Sequence, residues 1–145
     1  MICRFSVPFV RGKARVRFFR AGKHVGTYNE DETAAAMHEV RRAFLDAGGE
    51  RAPKGEEVAV FIDTLRKLPK SRKKSIACEP DTFKPDIDNI AKLVLDALNG
   101  VAWADDSQVT GLYVRKGNRY RDISDETYVS VMWGEEDGWD PEDAA

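Results

Sequence analysis

Residues 84–109, KPDIDNIAKLVLDALNGVAWADDSQV, contain a helix with clear start and stop signals. Pro85 suits an extended approach or a first helical turn, and either Asp86 or Asp88 suits the N-cap. The pair Asn99-Gly100 is a typical helix stop. The sequence therefore predicts a helix over residues 88–99 that is entered from an extended segment.

The predicted helix is apolar around most of its circumference. At about 100° per residue, its polar side chains fall in one narrow arc. The members of this arc are Asp88, Asn89, Lys92, Asp96 and Asn99. We therefore expect a mostly buried helix that packs on a sheet and presents one polar stripe at the sheet edge.

Carboxylates stand at the start of this helix and again shortly after its end. Asp86 and Asp88 are candidates for simple helix capping, since acidic residues are common in first turns. However, a short loop after the helix leads to Asp105 and Asp106. Carboxylates that crowd together repel unless a cation compensates them. An all-oxygen set without nearby His or Cys favours Mg²⁺, with Mn²⁺ as a substitute, and suits phosphoryl chemistry.

The same stretch closely resembles the core motif of RusA-type Holliday junction resolvases. The resemblance implies a homodimeric, Mg²⁺-dependent endodeoxyribonuclease that resolves four-way DNA junctions and needs no small-molecule cofactor. It implies that Asp86, Asp88 and Asp106 are catalytic, metal-binding residues and that Lys92 is the catalytic lysine. The loop before Asp105 varies in length across such proteins, so either Asp105 or Asp106 fits as the third ligand, and we prefer Asp106.

Neighbouring residues have supporting roles in this interpretation. We expect Asn89 to orient the aspartates by hydrogen bonding and Asp105 to support the site. Asp96 is either a partner of Lys92 or a solvent-facing acid. Phe83 either stacks on or wedges between bases at a junction, or anchors the core, and we prefer the core.

The net charge of −2 conceals an uneven distribution of charge. Residues 134–145 carry six acidic side chains and no basic one, and the remainder has 23 basic and 19 acidic side chains, a net charge of +4. Twelve basic residues lie in two acid-free segments, 11–23 and 66–74. Such runs are often merely solvated, but beside a carboxylate site they favour binding to the DNA phosphate backbone. The candidate DNA-binding residues are Lys13, Arg15, Arg17, Arg20, Lys70, Arg72, Lys73, Lys74, Lys84 and Lys116.

The pattern of elements predicts an α+β fold with a mixed sheet and two main helices in the order β-β-α-β-α-β-β. The predicted strands cover residues 2–7, 14–19, 58–62, 108–116 and 127–133, and the first helix runs from an Asn29 cap to about Ala47. We expect one domain over residues 1–133, a basic mobile loop at 64–83, and a disordered acidic tail at 134–145.

Several other classes of protein are disfavoured. No apolar run approaches the ~20 residues of a membrane span. The chain has no zinc-ligand spacing and no glycine-rich phosphate loop, and Cys3 and Cys78 are most simply free thiols. We therefore expect a cytoplasmic protein. Two alternatives stay open: a module that binds branched DNA without cleaving it, and a metal-dependent nuclease acting on flaps, forks or single strands.

Overall fold

The computed structural model describes residues 1–13, 17–21, 24–28 and 31–134. Asn29, Arg15 and the acidic tail from residue 135 onward therefore lie outside the described residues. Two α-helices are present, α1 (Asp31–Asp46) and α2 (Ile87–Leu98). The strands are β1 (Ile2–Val7), β2 (Arg17–Ala21), β3 (His24–Tyr28), β4 (Val58–Leu65), β5 (Cys78–Glu79), β6 (Val109–Lys116), β7 (Arg119–Tyr120) and β8 (Glu126–Trp133).

The central feature is a four-stranded sheet with the strand order β1-β8-β4-β6. β4 and β6 are parallel, whereas β8 is antiparallel to both β1 and β4. Strands β2 and β3 form a separate two-stranded sheet, and so do β5 and β7. The α+β architecture with a mixed sheet is thus confirmed.

α2 connects the parallel strands β4 and β6 and supplies much of the core. Its buried residues are Ile90, Ala91, Leu93, Val94, Ala97 and Leu98, which is the apolar surface that the periodicity predicts. The helix begins at Ile87, one residue earlier than predicted. It ends before Gly100, whose φ of +81° is readily adopted only by glycine.

α1 packs on α2 and β1 through one face. Thr33, Ala36, Val40 and Phe44 are buried, as their helical spacing predicts. The helix ends at Asp46, one residue before the predicted end at Ala47, and Ala47 is exposed.

Residues 64–83, for which the sequence predicts a basic mobile loop, make long-range contacts with the rest of the domain. β5 pairs with β7, which lies 40 residues further along the chain. Arg66 donates two hydrogen bonds to Asp81, at 3.0 and 2.8 Å, and the Asp81 side chain is fully buried. Arg121 donates to the carbonyl oxygens of Arg72, Lys73 and Ile76. These contacts fold the basic segment against the domain.

Phe83 does not belong to the core, so the preferred sequence interpretation is wrong. Its side chain is 39% exposed. Two guanidinium groups, rather than apolar side chains, lie beside the ring. The guanidinium carbon of Arg119 lies 4.2 Å and that of Arg72 lies 5.4 Å from the ring centroid.

The Arg66–Asp81 ion pair makes a pH-dependent contribution to stability. Burial by itself raises the pKa of the Asp81 carboxyl, but the hydrogen bonds and charge of Arg66 outweigh burial and hold that pKa below its ordinary value. The same hydrogen bonds raise the pKa of Arg66. A depressed carboxyl pKa means that the ionised form stabilises the folded protein.

Replacing Asp81 with Asn should lower the free energy of unfolding by about 3 kcal/mol at neutral pH, because Arg66 loses its buried partner. The stabilisation is complete above the ordinary aspartate pKa, about 3.9, and is lost as the pH falls below it. Urea unfolding from about pH 6 to about pH 2 should therefore show the difference between wild type and variant shrinking. Asp63→Asn is the matched control, since Asp63 pairs with Arg115 at the surface, and it should change stability by less than about 1 kcal/mol. A difference that is the same at every pH would contradict the assignment.

Candidate active site

The N-terminus of α2 presents two carboxylates to solvent. Asp86 is the N-cap residue, with extended backbone angles, yet its side chain makes no capping hydrogen bond. Asp88 lies in the first helical turn, and both side chains are exposed. Capping therefore does not account for Asp86, and both carboxylates are accessible to a cation.

Lys92 lies one turn beyond Asp88 on the same stripe, and it is exposed. Residues at this spacing are neighbours on a helix surface. Lys92 is therefore a neighbour of Asp88 on the helix surface, as the sequence predicts for this helix.

The segment at residues 11–13 lies directly against the start of α2. The Lys13 N–H donates to the main-chain carbonyl of Asn89 at 3.0 Å. A Cβ on Gly12 would lie 2.9 Å from the Cβ atoms of Pro85 and Asn89, so only glycine allows this approach. The hydrogen bond recorded for Asn89 is thus made by its backbone, and the proposed contact of its side chain with the aspartates stays a prediction.

Asp96 has a different partner from the two that the sequence suggested. It accepts a hydrogen bond from the Lys13 ammonium group in a partly buried ion pair. Asp96 is therefore neither paired with Lys92 nor a free acid in solvent. Lys13, whose predicted role in DNA binding stays a prediction, ties the N-terminal segment to α2.

Asp105 and Asp106 have distinct environments in the 3-10 turn Asp106–Gln108. Asp105 is bound into the turn: its carboxylate accepts from the Ser107 hydroxyl at 3.0 Å, and its N–H donates to Gln108 Oε1 at 3.2 Å. Asp106 Oδ1 accepts from the indole N–H of Trp103 at 2.8 Å. Trp103 is fully buried, so its indole N–H has a fixed position and orients the Asp106 carboxylate.

Asp86 and Asp106 lie at opposite ends of α2 within one chain. The 12 residues of α2 span about 18 Å at about 1.5 Å per residue. β6 then runs back along the helix, since Lys116 at its far end donates to the carbonyl oxygen of Pro85 at 2.9 Å. Across the described ranges, no group of three or more Asp, Glu, His or Cys side chains lies close enough to hold a metal ion. A single chain therefore does not gather the three predicted ligands.

The predicted DNA-binding residues fall into three groups. Lys70, Lys73, Lys74 and Lys84 are exposed and border the folded basic segment. Arg72 pairs with Glu79 at 3.1 Å, and Lys116 binds the carbonyl oxygens of Phe83 and Pro85. Arg17 and Arg20 lie in β2, and Arg15 lies outside the described residues.

Sequence reasoning missed the residues that position this region. Trp103 stands three residues before Asp106. This short separation in sequence could have predicted the hydrogen bond between the indole and the carboxylate. Arg66, Arg119 and Arg121 offer no comparable signal, because their partners are brought near by strand pairing.

Comparisons with known proteins give a family match that includes the motif at residues 84–109. A family model described as Endodeoxyribonuclease RusA matches residues 8–132. The chain is also similar to the uncharacterized protein YqaN of Bacillus subtilis (strain 168), with 38% identity over 84 residues. That match covers 55% of this chain and 56% of the relative, so it spans just over half the length of each. No helix in the described part of the chain is long and apolar enough to cross a membrane.

A double-mutant cycle should measure the hydrogen bond between Trp103 and Asp106. Trp103→Phe, Asp106→Ala and the double variant should give a coupling free energy of about 1.5–3 kcal/mol in urea unfolding, the range for hydrogen bonds to charged groups. Trp133→Phe is the matched control, because its indole donates to the exposed backbone of Glu50, and it should show no coupling to Asp106→Ala. Additive effects of Trp103→Phe and Asp106→Ala would contradict the contact.

Proposed function

Because the chain belongs to the endodeoxyribonuclease RusA family, we propose that it resolves four-way DNA junctions in the cytoplasm by paired, Mg²⁺-dependent nicks. The observation that carries this proposal is the pair of exposed carboxylates at the start of α2, in a chain that matches the family from residue 8 to residue 132. Asp86 does not use its side chain for capping, which leaves both carboxylates for a cation.

Asp86, Asp88 and Asp106 are the proposed holders of the metal. Their oxygen donors suit Mg²⁺, and Mn²⁺ should substitute for it. When bound, the metal supplies charge for the scissile phosphate and an activated water. Lys92 then lies within one helical turn of Asp88 to neutralise charge that develops on the phosphate.

A dimer would bring together ligands that lie far apart within one chain. Since Asp86 and Asp88 lie at one end of α2 and Asp106 lies at the other, we propose that each site takes Asp86 and Asp88 from one subunit and Asp106 from its partner. A two-fold dimer then has two equivalent sites, as two symmetric nicks require.

The outer edge of β6, which pairs with no other strand in the described part of the chain, is suited to forming this dimer. β6 is the last strand in the sheet order, none of its eight residues is fully buried, and Leu112 and Tyr113 are each 43% exposed. An open strand edge of this kind is a template for pairing with another strand. Antiparallel pairing of two β6 strands about a centre between Leu112 and Tyr113 would bring Lys116 opposite the partner's Val109.

Charge complementarity supports this arrangement. One end of β6 carries Arg115 and Lys116, and the other follows Asp105 and Asp106. Antiparallel pairing sets the basic end of each strand against the acidic end of its partner. It also brings the partner's Asp106 toward Pro85, which Lys116 contacts, and thus toward Asp86.

A binding module that recognises branched DNA without cleavage is the second candidate. The observation that favours it is the lack, in the described part of one chain, of an assembled metal-binding group. The two candidates differ in whether nicks appear when metal is present. Flap, fork and single-stranded substrates, compared with the junction, test whether cleavage is directed at another DNA structure.

Asp88→Asn should abolish cleavage of a synthetic mobile four-way junction while leaving folding and junction binding intact. The variant removes one acidic oxygen donor from an exposed position. Wild type should make paired symmetric nicks with Mg²⁺ and none with EDTA. Asp122→Asn, at an exposed position outside the site, is the control and should cleave like wild type. Undiminished cleavage by Asp88→Asn would overturn the assignment of the site.

Mixing two inactive variants tests the shared site. In a heterodimer of Asp88→Asn with Asp106→Asn, one composite site carries both substitutions and the other carries neither. Mixing the two variants in equal amounts makes about half of the dimers heterodimers, each with one intact site of two, and should therefore restore nicking of one strand at about a quarter of the wild-type rate or below. If all three carboxylates acted within one chain, each subunit would stay defective and the mixture would stay inactive.

A further inference from the structure

Phe83 is an exposed aromatic ring close to the candidate active site. It stands three residues before Asp86 and is 39% exposed. Leu93, Leu98 and Trp103, by contrast, are buried in the core around α2. Neither the ligand set nor the dimer proposed above uses this ring.

The ring rests on a cationic support. The guanidinium carbon of Arg119 lies 4.2 Å from the ring centroid, and that of Arg72 lies 5.4 Å from it. Arg119 is only 6% exposed, and its Nε has no hydrogen-bond partner among the described residues. Glu79 lies 3.1 Å from Arg72 Nε and 3.7 Å from an outer nitrogen of Arg119. Cation–π contact with Phe83 thus helps to hold a buried guanidinium group.

The backbone around Phe83 is also held firmly. Lys116 donates to the carbonyl oxygens of Phe83 and Pro85. The Phe83 N–H donates to Asp81 at 3.4 Å, and Asp81 is itself fixed by Arg66. The ring is therefore ordered before any ligand arrives, which lowers the entropy loss on binding.

We propose that Phe83 is a stacking site for an unpaired nucleobase at the branch point of the DNA. Aromatic rings bind any base through its π-face, and nearby cations attract the phosphates on either side of it. In a continuous duplex every base is already stacked on both sides, so a base must first be unstacked to reach the ring. At a branch point the stack is interrupted, and a base is available at lower cost.

This inference rests on the proposed function and extends it to the choice of substrate. Phe83 would favour branched DNA over continuous duplex, while the carboxylates carry out the cleavage. The two roles separate experimentally, because Asp88→Asn is expected to remove cleavage and keep binding.

The test measures binding and base position in the Asp88→Asn background. A four-way junction carries 2-aminopurine at the branch point, where its fluorescence rises when it leaves its stacked neighbours. Asp88→Asn protein should raise this fluorescence. Asp88→Asn/Phe83→Leu should bind the junction about tenfold more weakly, bind continuous duplex as before, and give no rise.

Phe83→Tyr in the same background is the matched control. It keeps an aromatic face over Arg119 and should retain both the fluorescence rise and the preference for the junction. Circular dichroism and thermal unfolding establish that each variant is folded, and a Leu variant that fails to fold is replaced by Phe83→Met.

Two results would overturn the inference. One is a fluorescence rise that persists in the folded Leu or Met variant. The other is an equal loss of affinity for junction and duplex, which would make Phe83 a general support of the basic surface. Because these readouts need no cleavage, they decide the role of Phe83 even if wild type makes no nicks.

Discussion

The burial of α2 against the sheet is the constraint on which the rest of the structure depends. Six of its twelve residues are buried, and they contribute to a core that includes β4, β8 and Trp103. Burial of this much apolar surface fixes the rotation of the helix about its axis. Because the apolar face of the helix is turned toward the core, its polar stripe faces solvent, and Asp88 and Lys92 are exposed.

The same burial separates the two ends of the candidate site. The helix runs antiparallel to β6 in the connection between two parallel strands, so the residues before it lie near the carboxyl ends of these strands and the residues after it lie near their amino ends. One chain therefore holds Asp86 near the carboxyl end of β6 and Asp106 near its amino end. A site that uses both needs a second chain, and the open edge of β6 is the surface through which we propose that it associates.

Buried ion pairs order the basic surface around the site. Asp81 is fully buried beneath Arg66, and Arg121 satisfies three carbonyl groups of the basic segment. Polar groups in such positions are costly unless they are paired, so their pairing fixes one arrangement of the chain. Lys70, Lys73 and Lys74 are consequently displayed on a folded surface, and Phe83 is held on its arginine support.

Local signals in the sequence determined the elements and the chemical types of the site residues. The period of apolar residues defined α2, the pair Asn99-Gly100 marked its end, and the motif from residue 84 to residue 109 indicated the family. Only the tertiary structure decided which residues meet. The pairing of Lys13 with Asp96, the burial of Asp81 under Arg66, and the support of Phe83 by Arg119 join residues 83, 15 and 36 positions apart. Such contacts depend on how strands pair and helices pack, so a local sequence pattern does not predict them. The distance between Asp86 and Asp106 has the same origin, because a helix of fixed rise separates residues that the motif presents as one group.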